Sequence, residues 1–236
     1  LGDRAVEETQ NAIQFALAGK PNTFRHRIEH NAVIRPHLLP RYSEIGIVAT
    51  VFGYVATCGI TTGKWALPCS GCTWPPEVQP WMWPYRALLD ENPGLHVAWH
   101  SDFPSWGSIN PLSHLYSLVT RNEVAEDGSV CEAPEWLAAN KMTVQQALRS
   151  MSIDGAYALF REEEIGSLKL GKFADLVILS ENPLTARPDM IKDIQVLLTM
   201  VGGVWNTAHP DMQVYATLRA RLERWRLLPL RKRLVF

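Results

Sequence analysis

The chain has 236 residues and a formal net charge of −1, with 47% apolar and 20% charged residues. That length holds one large domain or two small ones, and a near-neutral charge gives no field to steer nucleic acid or acidic partners. No apolar run reaches the roughly 18 residues of a membrane span, and nothing at the start has a secretory pattern. The composition therefore argues against nucleic acid and membrane as partners, and a cytoplasmic location is expected.

Asp3 to Leu17 has helical spacing, with Val6, Ile13 and Leu17 on one face and Gly19 as a stop. Asn22 to Glu29 is strand-like and runs into His30, and Pro36 to Glu44 suits a helix. Ile45 to Phe52 is continuously apolar and β-branched, the pattern of a strand buried on both faces in a parallel sheet. Residues 53 to 80 have no clear period, but their tryptophans argue for an ordered loop. Trp81 to Glu91 reads as a helix closed by Asn92-Pro93-Gly94, and Leu95 to Trp99 as a strand entering His100-Ser101-Asp102. Pro111 to Asn122 is helical. Thr143 opens a further helix reaching Leu159, with Gln146 completing a capping box.

This alternation implies parallel strands joined by crossover helices, an α/β fold. Three strands are too few for a closed barrel, which needs eight. After Phe160 the texture changes to short strands with glycine turns, over 165–179 and 196–204. A terminal helix over 211–227 carries Val214, Leu218, Leu222 and Trp225 on one face. The expected organisation is an α/β region over 1–160, a small β unit over 161–208, and a helix and tail over 209–236.

Cys58, Cys69, Cys72 and Cys131 are too few for a disulfide framework in a chain of this length, and are expected as reduced thiols. Cys69-x-x-Cys72 lacks the second pair or the βαβ context of a zinc or redox motif.

His30 and Asp102 each stand at or just past the C-terminal end of a predicted strand, where polar residues of a β/α barrel face the active site. Arg25-His26-Arg27-Ile28-Glu29-His30 resembles the strand-six signature of the metal-dependent amidohydrolase superfamily, and Trp99-His100-Ser101-Asp102-Phe103-Pro104 resembles its strand-eight signature. His100 directly before Ser101-Asp102 is unusual. Ile165 to Leu179 is similar to the family's return into a β-sandwich, and Val201-Gly-Gly-Val-Trp205 to the hairpin that follows. The branch resembled includes N-acyl amino-acid deacylases and similar amide hydrolases.

This resemblance implies the C-terminal part of a (β/α)8 TIM-type barrel followed by part of a small β-sandwich. It implies a hydrolase of amide or other non-peptide C–N bonds, working on a small-molecule substrate with one or two divalent ions, zinc being expected. His30 becomes a metal ligand, and Asp102 both a ligand and the general base for a metal-activated water. Three further residues carry a weaker expectation of binding substrate. They are His26, in phase with His30 along the strand; Arg86, in the helix between strands seven and eight; and Trp65, in a loop expected over the pocket. Strand alternation points Glu29 away from His30.

The resemblance also implies absences. The family's His-x-His pair of strand one occurs nowhere in the chain, and Leu1-Gly2-Asp3-Arg4-Ala5 resembles the residues directly after the strand-five ligand. The chain is thus expected to be a fragment lacking strands one to five, with two of the three protein ligands usual for catalytic zinc, and inactive in isolation. Its expected partner is a separate N-terminal segment or another copy of itself. The alternative is a catalytically inactive binding or assembly module derived from an amidohydrolase.

Overall fold

The computed structural model describes residues 2–53, 57–61, 75–103 and 109–208. The expected terminal helix and the Cys69, Cys72 pair lie outside the described residues.

Helix α1 (Asp3–Leu17) buries Val6 and Gln10, and the Gln10 amide donates to the Leu38 carbonyl at 3.0 Å. The helix stops through Ala18 and Gly19, both left-handed, so the glycine shares its role with the residue before it. Strand β1 is only Arg27–Ile28. The preceding residues, expected in the strand, form a turn instead. Arg25 N–H donates to the Asn22 carbonyl, His26 N–H donates to the Asn22 side chain, and Arg25 is left-handed at φ 51.

The helix expected over 36–44 divides into a 3-10 turn, Pro36–Leu38, and α2 (Arg41–Ile45). Pro40 between them has no N–H for a continuous ladder. Strand β2 (Val48–Phe52) is buried at all five positions. It pairs in parallel with β1, Arg27 opposite Val48, and with β3 (Val97–His100), from Ala49 opposite Val97 to Phe52 opposite His100. The parallel sheet expected from the apolar, β-branched run is present, in the order β1-β2-β3. It is an open sheet; no closed barrel forms among the described residues.

Between β2 and β3 lie α3 (Thr57–Thr61) and α4 (Tyr85–Glu91). Helix α4 starts later than expected because Pro84 precedes it and Trp83 is left-handed at φ 44. Residues 81–83 instead run against 32–34, with Ile34 N–H on the Trp81 carbonyl at 2.8 Å and Trp83 N–H on the Ala32 carbonyl at 2.6 Å. Asn92, fully buried, staples the end of α4, donating to the Leu39 and Leu88 carbonyls and accepting from Ser43 N–H.

Helix α5 (Pro111–Thr120) is capped by the Asn110 side chain and buried at every position from Leu112 to Val119, so it runs through the core. A small hairpin, β4 (Glu123–Val124) with β5 (Val130–Cys131), follows. Its Asp127-Gly128 turn is a hairpin signal, but two-residue arms are too short to show alternation. Then come α6 (Glu135–Ala138), α7 (Val144–Ser150) and α8 (Ile153–Ala158). The predicted capping box is present, with both the Thr143 and Gln146 bonds made. The single helix expected from Thr143 to Leu159 breaks at Ser152. There the Ser150 and Ser152 hydroxyls bond the Ala147 and Leu148 carbonyls, an alternative to continuing the ladder.

Arg25, in the turn before β1, clasps α8 and the residues after it. Its guanidinium lies 3.7 Å over the Tyr157 ring and 4.3 Å over that of Phe160, donates to the Tyr157 carbonyl at 2.6 Å, and forms a forked ion pair with Glu162. Arg27 adds a bond to the Ala158 carbonyl at 3.2 Å.

The described residues divide into two compact units, those up to 172 with 182–194, and 173–181 with 195–208. The second holds an antiparallel sheet in the order β6 (Leu176–Leu179), β7 (Val196–Val201), β8 (Val204–Ala208). Gly202 and Gly203, both at positive φ, turn β7 into β8 as a two-residue hairpin loop demands. This differs from one β unit over 161–208, because residues 182–194 return to the first unit. Their 3-10 helix, Pro188–Asp193, packs on α5 and buries Ile191, with Ile194 buried just after it.

Cys58 and Cys131 form a disulfide joining α3 to β5. This corrects the expectation of reduced thiols: the fold brings together two cysteines 73 residues apart, which spacing in the chain does not reveal. Disulfides belong to oxidising compartments, so these cysteines lend no support to a cytoplasmic location. No helix among the described residues is long and apolar enough to cross a membrane.

Candidate metal centre

His30, His100 and Asp102 meet at the C-terminal end of the parallel sheet. One donor atom from each lies within 4.8 Å of the other two, and all three residues are half-buried. The sheet builds this cluster directly. His30 follows β1 by two residues, His100 is the last residue of β3, and Asp102 follows it by two.

Phe52 packs against both imidazoles, which also face each other. It is stacked on His30 at 4.5 Å between ring centroids and tilted against His100 at 4.4 Å, with the two histidine rings 4.9 Å apart. Phe52 is held in turn, because its N–H donates to the Tyr85 hydroxyl at 3.1 Å. Tyr85 is fully buried, and burial pushes its pKa up to about 12. The guanidinium of Arg121, buried beneath, lies 4.6 Å from the Tyr85 ring centroid. Burial pulls its pKa down to about 10.

Backbone conformation finishes the site. His30, Asn31 and Asp102 all have left-handed backbones, φ 71, 52 and 56. Such residues need support from their surroundings and cluster at functional sites. The support at His30 is visible: its N–H donates to the Thr50 hydroxyl at 3.3 Å. Asn31, buried, donates to the Ile28 carbonyl at 2.7 Å and the Thr50 carbonyl at 2.8 Å and accepts from the Tyr42 hydroxyl. At the other ligand loop, Phe103 N–H donates to the Ser101 hydroxyl at 3.2 Å.

Glu29 is closer to the cluster than strand alternation predicts. Strand β1 ends at Ile28 and His30 is left-handed, so the parity rule does not reach them. The Glu29 carboxylate accepts from the Thr50 hydroxyl, which also receives His30 N–H, and from Arg27. Burial opposes its ionisation, but the hydrogen bonds from Thr50 and Arg27 and the Arg27 charge hold its pKa below the usual range. The pKa of His100 is lowered, chiefly by burial and then by His30 beside it, against the pull of Glu29 and Asp102.

Of the other candidates, His26 is exposed before β1 with its ring against Phe24, and does not join the cluster. Arg86 is exposed on α4 and paired with Asp90 at 2.7 Å. Trp65 lies outside the described residues. Asn31, Thr50 and Phe52 were not singled out from the sequence. The one signal was Asn31 itself, a residue type that tolerates the left-handed conformation.

The donors fit a divalent metal. Nδ1 of His30 and Nε2 of His100 are buried without a hydrogen-bond partner, a state that is unfavourable unless something else satisfies them. Two imidazoles and a carboxylate are a ligand set of catalytic zinc and of other first-row ions.

Residues 1–205 match the model of the amidohydrolase family. The chain belongs to that family. Among curated proteins, it is 33% identical over 123 residues to the N-substituted formamide deformylase of Arthrobacter pascens, a match covering 52% of the chain and 21% of that protein. It is 28% identical over 206 residues to the protein LONG AFTER FAR-RED 3 of Arabidopsis thaliana, covering 86% of the chain and 32% of that protein. The chain thus spans a fifth to a third of the length of these relatives. Its fold is similar to that of a metal-dependent hydrolase from Pyrococcus horikoshii. That likeness has a TM-score of 0.59 at 19% identity and covers 80% of this chain and 34% of the other. A second likeness, to one from Pyrococcus furiosus, has a TM-score of 0.56 at 21% identity and covers 78% and 33%.

Proposed function

We propose that this chain supplies part of the active site of a metal-dependent hydrolase acting on amide or other non-peptide C–N bonds. The observation that carries this reading is the convergence of His30 and Asp102 at the C-terminal end of parallel strands, in a chain of the amidohydrolase family. The parallel strands with their helices are part of a (β/α)8 barrel, and the antiparallel sheet is part of the accompanying β-sandwich. The outer edges of β1 and β3 have no strand partner among the described residues. They take further strands from an N-terminal segment or a second copy.

A divalent metal at this centre, zinc by preference, supplies polarisation of the substrate carbonyl and an acidified water. His30 would hold the ion through its imidazole, which is kept in place by the bond from the backbone N–H to Thr50 and by stacking of the ring on Phe52. The Asp102 carboxylate accepts the proton of the attacking water and delivers it to the departing nitrogen. Its fixed left-handed backbone keeps the carboxylate over the mouth of the sheet.

Substituting Asp102→Asn in the complete protein tests this, with N-substituted formamides as first substrates because one relative is named for them. Hydrolysis should fall by at least ~10²-fold with the fold intact, since general acid–base groups contribute about 10²–10⁴. Retained turnover would overturn the assigned role.

A further inference from the structure

We propose that His100 is a third metal ligand, so that His30, His100 and Asp102 form a three-ligand site within this one chain. The inference rests on the metal-dependent reading above and deepens it. The strand-six and strand-eight resemblances assign only His30 and Asp102, two ligands where catalytic zinc usually has three.

Four observations carry the assignment. Donor atoms of all three residues lie within 4.8 Å of one another. Ligands on a tetrahedral ion sit about 3.3 Å apart for bonds near 2.05 Å, so a small side-chain rotation closes the set. Nε2 of His100 is buried without a hydrogen-bond partner, and so is Nδ1 of His30. One ion between them satisfies both nitrogens at once. The His100 ring is braced: it sits against Phe52, the residue directly opposite it in the β2–β3 register, whose N–H is tied to Tyr85. Finally, His100 ends β3 and Asp102 turns back in a left-handed conformation two residues later, which brings a nitrogen and an oxygen donor from one short loop to the same side as His30.

The consequence is specific. His30 and Asp102 by themselves leave the ion to be completed from elsewhere, whereas His100 lets this chain retain a metal while leaving a coordination position open for water or substrate.

The test is zinc affinity of the purified chain, measured by competition with a chromophoric chelator. The absorption spectrum of the cobalt(II)-substituted chain is a second readout of ligand number. One ion should bind. His30→Ala, His100→Ala and Asp102→Ala should each weaken it by more than ~100-fold, beyond the 10–100-fold typical of residues that only orient a ligand. The cobalt spectrum should change in each variant. If His100→Ala loses its fold by circular dichroism, His100→Gln, which keeps the bulk, carries the same expectation. A loss of less than ~100-fold for His100, with full losses at His30 and Asp102, overturns the third ligand and leaves the proposed function standing. No zinc on the unmodified chain also overturns the three-ligand site, and the proposed function is then decided separately by Asp102→Asn in the complete protein.

Discussion

Asn31 offers the sharpest test of how the fold holds His30. Its side chain makes three buried hydrogen bonds, to the Ile28 carbonyl, the Thr50 carbonyl and the Tyr42 hydroxyl, on a backbone at φ 52. Asn31→Ala removes two carbonyl bonds worth about 1 kcal/mol each net and strands the Tyr42 hydroxyl at about 2 kcal/mol. Alanine in a left-handed conformation adds about 1 kcal/mol. The sum is about 5 kcal/mol, a large part of the roughly 5–15 kcal/mol that holds a domain together. In urea, with a slope of about 2 kcal/mol/M, the midpoint should fall by roughly 2.5 M with the slope unchanged. The partner variant isolates the hydroxyl. In a Tyr42→Phe background there is no hydroxyl to strand, so Asn31→Ala should be milder by about 2 kcal/mol. A loss below ~1 kcal/mol, or equal losses in the two backgrounds, would refute the reasoning.

Gly53 stands at the end of β2, where an added Cβ would lie 2.2 Å from Nδ1 of buried His114 on α5. Gly53→Ala should therefore destabilise by about 3 kcal/mol or more in thermal unfolding, and a His114→Ala second change should recover most of it. The Glu162 carboxyl is held down to about 2, first by its hydrogen bond from Arg25. A lowered folded-state pKa stabilises above the unfolded value and is lost as pH falls through the folded one. Stability should therefore decline between about pH 4.5 and pH 2, and Glu162→Gln should flatten that part of the pH–stability curve; an unchanged curve would count against the pair.

The elements written in periodicity were legible. The five buried residues of β2, the span of α1 and the capping box at Thr143 all follow from local pattern. What apolar periodicity hid were the hydrogen bonds of polar side chains and carbonyls. The serines that break the helix and the Asn22 turn that shortens β1 act within four residues, through side chains that compete with the backbone ladder, whereas the pairing of 32–34 with 81–83 joins residues far apart in the chain. The site divides the same way. His30 and Asp102 were visible as residues after strands. The reach of His100 to them is set by the β2–β3 register and by Phe52 packed against both rings, which no single stretch of sequence encodes. Glu29 was misplaced because alternation was carried past the end of the strand.

The Arg25 clasp has a consequence for the timing of folding. It joins residues 137 apart in the chain, and the Arg27 bond to Ala158 spans 131. Closing so long a loop early brings an entropy loss with little yet to offset it, so both contacts are expected late in folding. Interactions made after the transition state do little for the speed of folding and much for the speed of coming apart. The clasp therefore acts as a latch on the first unit, setting how long the sheet that carries His30 and His100 persists once assembled, and the ion pair with Glu162 makes that latch weaker in acid.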